Sequence, residues 1–242
     1  MTARHTRLSP WGRLVAASAV IVVGCGAALA IARIASAHER LVTYSVNGSL
    51  NGIALDLGDG DVLVSGGAKR DAVRVERVDR YAFGHHATAE RSVKDGVFHV
   101  RSRCPHTVMH GCSVRYHLTV PDNVPVDVRT DSGEVSFRDY RGSGRVRTRS
   151  GAVVIDDYCG FSLQARAESG SIAMNASCPP QELSLRTTSG AVRAVVPAGR
   201  YRVDADSTSG SETIRGVASV ADSPFSIEAQ SSTGDVRVEA RP

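Results

Sequence analysis

The sequence has few aromatic residues. Phenylalanine, tryptophan and tyrosine together make up 5% of its 242 residues, with a single tryptophan, although 42% of the residues are hydrophobic. Valine, alanine and glycine supply much of the remaining apolar and small-residue content, so we expect a core of thin stacked layers. The chain is long enough for one large domain or two small ones.

The chain also lacks a charge imbalance in its main part. Its formal net charge is +4, but the first 37 residues carry four arginines and no acidic residue. From residue 38 onward there are as many acidic as basic residues. A neutral domain has no bulk electrostatic attraction for nucleic acid, so we expect no nucleic-acid partner.

A catalytic serine motif is missing as well. A nucleophile elbow needs Gly-x-Ser-x-Gly at a strand-to-helix turn. The segment LRTTSGAVRA places Ser189 next to Gly190 without the first glycine, and the same Ser-Gly pair recurs elsewhere. A catalytic residue is normally unique, whereas a corner residue of a repeat must recur. The carboxylates of Asp156 and Asp157 have no counterpart on a neighbouring repeat, so they indicate a polar turn. We expect that the protein is not an enzyme and that it has no catalytic residues and no cofactor.

One long apolar run lies near the N-terminus. Leu14–Ala32 is uncharged, and a helix of that length extends about 28 Å, enough to cross a bilayer. The arginines before it predict a cytoplasmic tail over 1–13, a transmembrane anchor over 14–35 and an extracytoplasmic C-terminal domain at the cell membrane. Two alternatives stay open: cleavage after Ala37, and lipidation of Cys25 in the sequence VVGC. All three would export the domain.

A ten-residue template recurs six times in the C-terminal half. The copies are VRTDSGEVSF, VRTRSGAVVI, ARAESGSIAM, LRTTSGAVRA, ADSTSGSETI and AQSSTGDVRV. Their glycines are Gly133, Gly151, Gly170, Gly190, Gly210 and Gly234. Each is preceded by a hydroxyl residue: Ser132, Ser150, Ser169, Ser189, Ser209 and Thr233. Spacings of 18 to 24 residues are typical of one coil of a β-solenoid.

The template predicts where each side chain points. Seven, five and three residues before the glycine stand positions such as Leu183, Leu185 and Thr187, and two and four residues after it stand pairs such as Val153 and Ile155. Such alternation places these side chains on one face of a strand. The inward positions are odd-numbered from the glycine before it and even-numbered after it. Because the alternation shifts by one residue at Ser-Gly, the chain must turn there.

The predicted fold class is therefore all-β. We expect a parallel β-helix or β-solenoid with coils of about 18–20 residues, preceded by an N-terminal transmembrane helix. The coils would stack in chain order over 124–242, with Glu239, Arg241 and Pro242 protecting the last edge strand.

An earlier copy of the template surrounds Gly60, and a weaker one surrounds Gly96. Residues 36–52 would form a linker and a first strand. Residues 53–123 would form either irregular coils or a cap, since the pattern over 66–123 fits both.

Four cysteines predict two disulfides. Cys159 and Cys178 each lie eight residues after a template glycine. Equivalent positions on adjacent coils are about 4.8 Å apart, within disulfide range. Cys104 and Cys112 bracket the histidine-rich loop CPHTVMHGC and would form the second disulfide. The alternative for this loop is a metal site formed by Cys104, His106, His110 and Cys112. Other histidines, His85, His86, His99 and His117, are interpreted as surface residues.

An arginine stands four residues before the glycine in four copies. These are Arg129, Arg147, Arg166 and Arg186. Stacking would align their guanidinium groups, which repel one another unless acidic residues or a ligand offset the charge. Asp127, Asp131 and Glu168 are close enough in sequence to offset part of it. The four arginines could otherwise form a docking strip for an anionic envelope polymer.

The Ser-Gly-x-Val repeats, the strand CSVRYHLTVP before them and the N-terminal anchor segment resemble the bacterial putative-adhesin β-strand-repeat family, with its GIN or adhesin-head-like domains. The resemblance covers about residues 45–240. It implies an exported β-helical domain and no catalytic residues. We expect a membrane-anchored binding or structural module whose partners are the membrane and an anionic polymer or another envelope protein. The alternatives are an accessory or sensor subunit that docks a membrane protein and, third, an enzyme acting on envelope polysaccharide.

Overall fold

The computed structural model describes residues 10–35, 38–68, 72–82, 84–105 and 111–241. Helix α1 spans Pro10–Ala35. The next six elements are β1 (His38–Asn47), β2 (Gly52–Ser65), β3 (Ala72–Tyr81), β4 (Thr88–Lys94), β5 (Val97–Arg103) and β6 (Cys112–Thr119). The repeat region contains β7 (Val126–Ser132), β8 (Val135–Arg138), β9 (Gly144–Ser150), β10 (Val153–Tyr158), β11 (Ser162–Ser169), β12 (Ile172–Ala176), β13 (Glu182–Ser189) and β14 (Val192–Val196). The last strands are β15 (Arg200–Ser207), β16 (Glu212–Arg215), β17 (Ala218–Ser219), β18 (Ser226–Thr233) and β19 (Val236–Ala240).

Helix α1 covers the segment predicted to be a membrane anchor. Among the described residues, however, no helix combines the length and the apolarity that a membrane span requires. The transmembrane part of the predicted fold class is not shown and stays a prediction. Ser36 and Ala37, at the alternative cleavage site, lie outside the described residues.

The predicted parallel β-solenoid is confirmed. Each coil has one strand in a front sheet, a corner, and one strand in a back sheet. The front sheet contains β5, the first half of β2, β7, β9, β11, β13, β18 and β15. The back sheet contains β6, the second half of β2, β8, β10, β12, β14, β19 and β16. Neighbouring strands of successive coils run parallel throughout these two series.

The core lies between the two sheets and is formed by the side chains that the alternation predicted. In the front sheet Leu163 and Ala165 stand beside Leu183 and Leu185 of the next coil. These side chains are almost completely buried. Because a single coil has no partner for its inward face, the stacking of neighbours provides the burial that stabilises each coil.

The corner glycines allow the coils to approach one another closely. Five of these glycines have φ angles between 115° and 141°, a region that residues other than glycine rarely adopt. They are Gly133, Gly151, Gly170, Gly190 and Gly234. A Cβ atom on Gly170 would lie 2.1 Å from the carbonyl oxygen of Gly151. The N–H of Gly170 donates to the carbonyl of Ser189 at 2.8 Å. Each corner is thus in direct backbone contact with the next.

The predicted stacking in chain order is wrong for the last two coils. Strand β18 pairs with both β13 and β15, so the coil β18–β19 inserts before the coil β15–β16. The reason is Glu212, which stands in register with Val236, where the other copies carry Val or Ile. Burying a carboxylate between coils would cost several kcal/mol. At the end of the stack Glu212 is exposed, and it accepts a hydrogen bond from the backbone N–H of Ser207 at 2.8 Å.

The predicted protection of the edge by Glu239 and Arg241 is wrong for the same reason. Glu239 belongs to β19, which is paired on both sides, by β14 and β16. Pro242 lies outside the described residues. The outermost coil is β15–β16, and its inward side chains Val203 and Ala205 are only half-buried.

The opposite end of the solenoid has an antiparallel cap, which resolves the ambiguity over residues 66–123. Strands β5 and β6 form one more coil, packed outside β2. Strand β3 then pairs antiparallel with β6, β1 with β3, and β4 with β5. Gly96 belongs to the β4–β5 hairpin turn with a φ of 76°. It is not a coil corner. Phe98, which follows Gly96, pairs in register with Ile53, which lies before the corner of its own coil at Gly60.

We expect Gly170→Ala to destabilise the protein by more than about 3 kcal/mol. The left-handed φ alone costs a residue with a side chain about 1–3 kcal/mol, and the overlap of the new Cβ atom with the backbone of Gly151 adds to this cost. Gly67→Ala is the matched control, because Gly67 has a φ of 88° but no atom within 4 Å of an added Cβ. It should cost about 1–2 kcal/mol. Denaturant unfolding measures both, and equal losses would contradict the backbone contact.

The coil order predicts which engineered cysteines cross-link. Ser189 stands beside Thr233 in the register. Adjacent parallel strands are about 4.8 Å apart, within the Cα range of a disulfide, and the native pair Cys159–Cys178, just beyond the ends of β10 and β12, has a Cα–Cα distance of 4.8 Å. Ser189→Cys with Thr233→Cys should therefore oxidise to a disulfide. Ser189→Cys with Ser209→Cys should not. Peptide mapping under non-reducing conditions distinguishes them, and the reverse result would restore stacking in chain order.

Candidate functional site

The structure brings the four predicted arginines together in one column on the outer face of the front sheet. Arg147 is the register partner of Arg129 on one side and of Arg166 on the other, and Arg166 is the partner of Arg186. All four are exposed. We call this column the arginine strip.

The strip is limited to four consecutive coils. Before Arg129 the same position is occupied by Asp56, and before that by Arg101. After Arg186 it is occupied by Gln230 and then by Asp206. The strip is therefore a basic segment with an acidic residue near each end.

The two ends of the strip are paired with acids, and its centre is not. Arg129 Nε lies 3.6 Å from Oδ1 of Asp127. Arg186 forms a hydrogen-bonded ion pair with Glu228. Among the described residues, Arg147 and Arg166 have no carboxylate partner. Like charges at strand spacing repel by about 1 kcal/mol per pair in water, so the centre of the strip favours an anion from outside.

Two of the three acids expected to offset the strip do not pair with it. Asp131 pairs instead with Arg149, with Nη2 3.3 Å from Oδ1. Glu168 forms no ion pair within the described part of the chain. Side chains two residues apart on one strand share a face, so Asp131 and Glu168 lie near the strip. Neither of them, however, forms an ion pair with an arginine of the strip. Asp127 alone acts as expected.

Strand β9 increases the positive charge at the centre of the strip. Its three outward side chains, Arg145, Arg147 and Arg149, are all arginines. Arg145 Nε lies 3.3 Å from the side-chain oxygen of Gln164, which is uncharged. The basic surface is therefore wider at β9 than elsewhere along the strip, a feature that the spacing of the copies did not reveal.

The structure contains both predicted disulfides. The Cα–Cα distance is 4.8 Å for Cys159–Cys178 and 5.7 Å for Cys104–Cys112. The second bond uses the two thiols of the alternative metal site, and His106 and His110 lie outside the described residues. A tetrahedral site with two thiolates is thus incompatible with this disulfide. In the described residues no group of three or more metal-ligating side chains converges.

The hydroxyl residues before the glycines form a second column, in which Ser150, Ser169 and Ser189 are exposed and Ser132 is half-buried. Ser150 is in register with Ser132 and Ser169, and Ser169 with Ser189. Ser189 is thus one member of a periodic series, and Ser209, on the terminal coil, is outside the paired register. The predicted polar turn at Asp156 and Asp157 is wrong: both residues lie within β10, at a register shift between Ile155 and Tyr158, where Asp157 has a φ of 50°.

A different serine does stand beside a histidine and a glutamate. Ser65 Oγ lies 3.1 Å from His117 Nε2 on the outer face of the back sheet. His117 Nδ1 lies 3.8 Å from Glu76, beyond hydrogen-bond distance. The backbone N–H of Gly66, next to the serine, already donates to the carbonyl oxygen of Arg138 at 3.0 Å, so it cannot stabilise an oxyanion. The arrangement lacks the geometry of a catalytic triad.

The second corner of two coils contains a motif that the repeat search missed. Asp-Tyr-x-Gly occurs at 139–142 and 157–160. Tyr140 is fully buried, and its hydroxyl oxygen lies 2.6 Å from the carbonyl oxygen of Val124. Tyr158 occupies the equivalent place, 2.6 Å from the carbonyl oxygen of Ser162. Burial raises the pKa of both phenols far above the ordinary value, so they remain neutral hydrogen-bond donors that hold the corners.

Several solved structures align with the chain at low sequence identity and low TM-score. A putative cell adhesion protein from Clostridium sporogenes aligns over 84% of this chain and 100% of its own, with 11% identity and a TM-score of 0.49. A putative adhesin from Bacteroides fragilis aligns over 84% and 97%, with 11% identity and a TM-score of 0.42. A putative lipid binding protein from Parabacteroides distasonis aligns over 84% and 97%, with 8% identity and a TM-score of 0.32.

None of the curated proteins matches the chain in sequence. A family model does match, over residues 42–241, which include every strand of the solenoid and most of its cap. This match confirms the predicted resemblance to a β-strand-repeat family, and the chain belongs to the Toastrack DUF4097 family.

Proposed function

We propose that this protein is a non-catalytic binding module of the cell envelope whose arginine strip docks an anionic polymer. The observation that carries the proposal is the pair of central arginines, Arg147 and Arg166, which are stacked in register and have no carboxylate partner in the described structure. A polymer with regularly spaced phosphate or carboxylate groups could contact several coils at once, and arginine forks suit both groups.

One column on the outer face of the back sheet favours a polar ligand over an apolar partner. On the outer face of the back sheet, the exposed Val154 stands beside Ser136 and Ala173. The next positions in the same column are Arg193 and Arg237. An apolar ridge, which would favour a docking subunit for a membrane protein, does not run along this column. Facing carboxylates, which would favour a polysaccharide-cleaving enzyme, are not found on the strip.

Replacing Arg147 and Arg166 together by Ser should weaken retention of the full-length protein on purified anionic wall polymer about tenfold. Two solvent-exposed ion pairs of about 0.7 kcal/mol each account for this factor. Because the contacts are electrostatic, retention by the unmodified protein should also fall as salt is added. Affinity electrophoresis in a polymer-containing gel measures both effects.

The matched control is Arg202→Ser with Arg215→Ser. These exposed arginines lie on the terminal coil and, in the described part of the structure, form no ion pair either. The control removes the same charge and should leave retention nearly unchanged. Equal weakening by the two double variants would indicate a net-charge effect and contradict the strip, as would full retention by Arg147→Ser with Arg166→Ser.

We further propose that the domain is displayed outside the cell, with residues 14–35 as its anchor. This location is supported by the uncharged run Leu14–Ala32 and by the arginines before it. The two disulfides also fit an oxidising compartment.

The location predicts how the protein fractionates. The full-length protein should stay in the membrane pellet after alkaline carbonate extraction, and protease added to intact spheroplasts should digest the domain. A variant without residues 1–35 should no longer be found in the pellet. Release of the full-length protein by carbonate, or protection of the domain from the added protease, would contradict this location.

A further inference from the structure

A cavity of about 360 Å³ opens between the two sheets at the capped end of the solenoid. Strands β1, β3 and β6 of the extended back sheet form one wall, and β4 and β5 of the front sheet form the other. Three arginines from three different strands line it: Arg40 on β1, Arg77 on β3 and Arg91 on β4. We call this cavity the cap cleft.

Arg77 is held in a fixed position inside the cleft. Its Nε donates to Oδ1 of Asp79 at 2.6 Å, and its Nη2 donates to the carbonyl of Ala87 at 3.1 Å. The side chains of Arg77 and Asp79 are 13% and 7% exposed. A guanidinium group has five N–H donors, and these two bonds use two of them. The remaining N–H groups have no acceptor among the described residues, and no Arg77 nitrogen is both buried and unpaired, so these groups are accessible to a ligand in the cleft.

The other two arginines carry positive charge without a carboxylate partner. Arg91 reaches across the cleft to the Tyr44 ring on the opposite wall, with its guanidinium carbon 4.4 Å from the ring centroid. This contact with an aromatic ring leaves the positive charge of Arg91 without a carboxylate to offset it. Neither Arg40 nor Arg91 forms an ion pair with any described residue. The cleft therefore contains three guanidinium groups and the single carboxylate of Asp79.

The rest of the lining is apolar or aromatic. Side chains of Val42, Val100, Ala87 and Ala89 and the rings of Tyr44, Tyr81, Tyr116 and His86 complete the walls. The His86 ring packs against Tyr81, and its Nδ1 lies 3.1 Å from the carbonyl oxygen of Gly84. Burial raises the pKa of the Tyr44 and Tyr116 phenols above the ordinary value. Both rings therefore stay neutral at physiological pH and add no charge to oppose an anion. The combination of convergent cationic donors and apolar walls is typical of a site for a small organic anion.

We propose that the cap cleft binds a phosphate monoester through Arg40, Arg77 and Arg91, with the organic part of the ester against the apolar walls. Three guanidinium forks offer more donors than the two oxygens of a carboxylate can accept, whereas a phosphate monoester presents three terminal oxygens and up to two negative charges. The cleft is formed by the cap strands and not by the repeats that form the strip, so this proposal does not depend on the function of the strip.

Calorimetric titration of the full-length protein with glycerol 3-phosphate tests the site. We expect saturable binding of glycerol 3-phosphate, weaker binding of inorganic phosphate and no binding of glycerol. Arg40→Gln and Arg91→Gln should each weaken binding about tenfold, the equivalent of one charge-assisted contact. Both positions are exposed, so the variants should keep the melting temperature of the parent protein.

Two variants serve as controls. Arg202→Gln removes a charge at the far end of the solenoid and should bind glycerol 3-phosphate like the parent. The strip variant Arg147→Ser with Arg166→Ser should also bind it normally, which separates the two proposals. Absence of binding, inorganic phosphate binding as tightly as the ester, or unchanged binding by folded Arg40→Gln and Arg91→Gln proteins would overturn the assignment.

A vesicle experiment identifies the source of the phosphate group. Phosphatidic acid presents the same glycerol phosphate as a lipid headgroup. Association with phosphatidylcholine vesicles that contain phosphatidic acid, lost in Arg91→Gln and blocked by glycerol 3-phosphate, would support the site and assign it to a headgroup. Binding of soluble glycerol 3-phosphate without vesicle association would support the site and assign it to a free ester.

Discussion

The close approach of glycine backbones at one corner of every regular coil is the constraint on which the rest of the structure depends. The carbonyl oxygen of Gly151 lies where a side chain on Gly170 would begin, and the same contact joins Gly170 to Gly190. Because this contact fixes both the spacing and the register of the coils, every other template position lines up in a column. The buried aliphatic columns, the disulfide between Cys159 and Cys178 and the arginine strip follow from that one register.

The two ends of the solenoid are stabilised differently because a stack of parallel coils leaves an open edge at each end. At one end antiparallel strands cover the edge and enclose the cap cleft, with the ion pair of Arg77 and Asp79 inside it. At the other end the terminal coil tolerates polar and half-exposed side chains, including Glu212. The repeats between the ends offer a regular outer face, which suits a repetitive ligand, and the cap offers the cleft between its two walls.

The sequence was sufficient to predict the parts of the fold that repeat. The Ser-Gly period predicted the corners, the alternation around it predicted the core, and the equivalent positions of Cys159 and Cys178 predicted their bond. The order of the last two coils was also encoded, since Glu212 stands at a core position of the template, but it could be recognised only by comparing all copies at that position. The Asp-Tyr-x-Gly corners at Tyr140 and Tyr158 left a similar signal, limited to two copies.

The cap and its cleft could not be predicted in the same way. The strands of the cap are antiparallel and do not follow the template, so no period relates Arg40, Arg77 and Arg91. These arginines are separated in sequence and line one cleft only because β1 pairs with β3 and β4 pairs with β5. The pairing of Asp131 with Arg149 was missed for a related reason: register predicts which residues are neighbours, but not which of several neighbours a long side chain contacts.

Amide hydrogen exchange of the corner glycines in the native protein tests the central constraint most directly. The N–H groups of Gly151, Gly170 and Gly190 each donate to a carbonyl of the next coil, at 3.0, 2.8 and 2.9 Å. These amides should exchange among the slowest in the protein, and the amide of Gly210, on the outermost coil, should exchange much faster. Exchange of all four at the same fast rate would contradict a solenoid held together by its glycine corners.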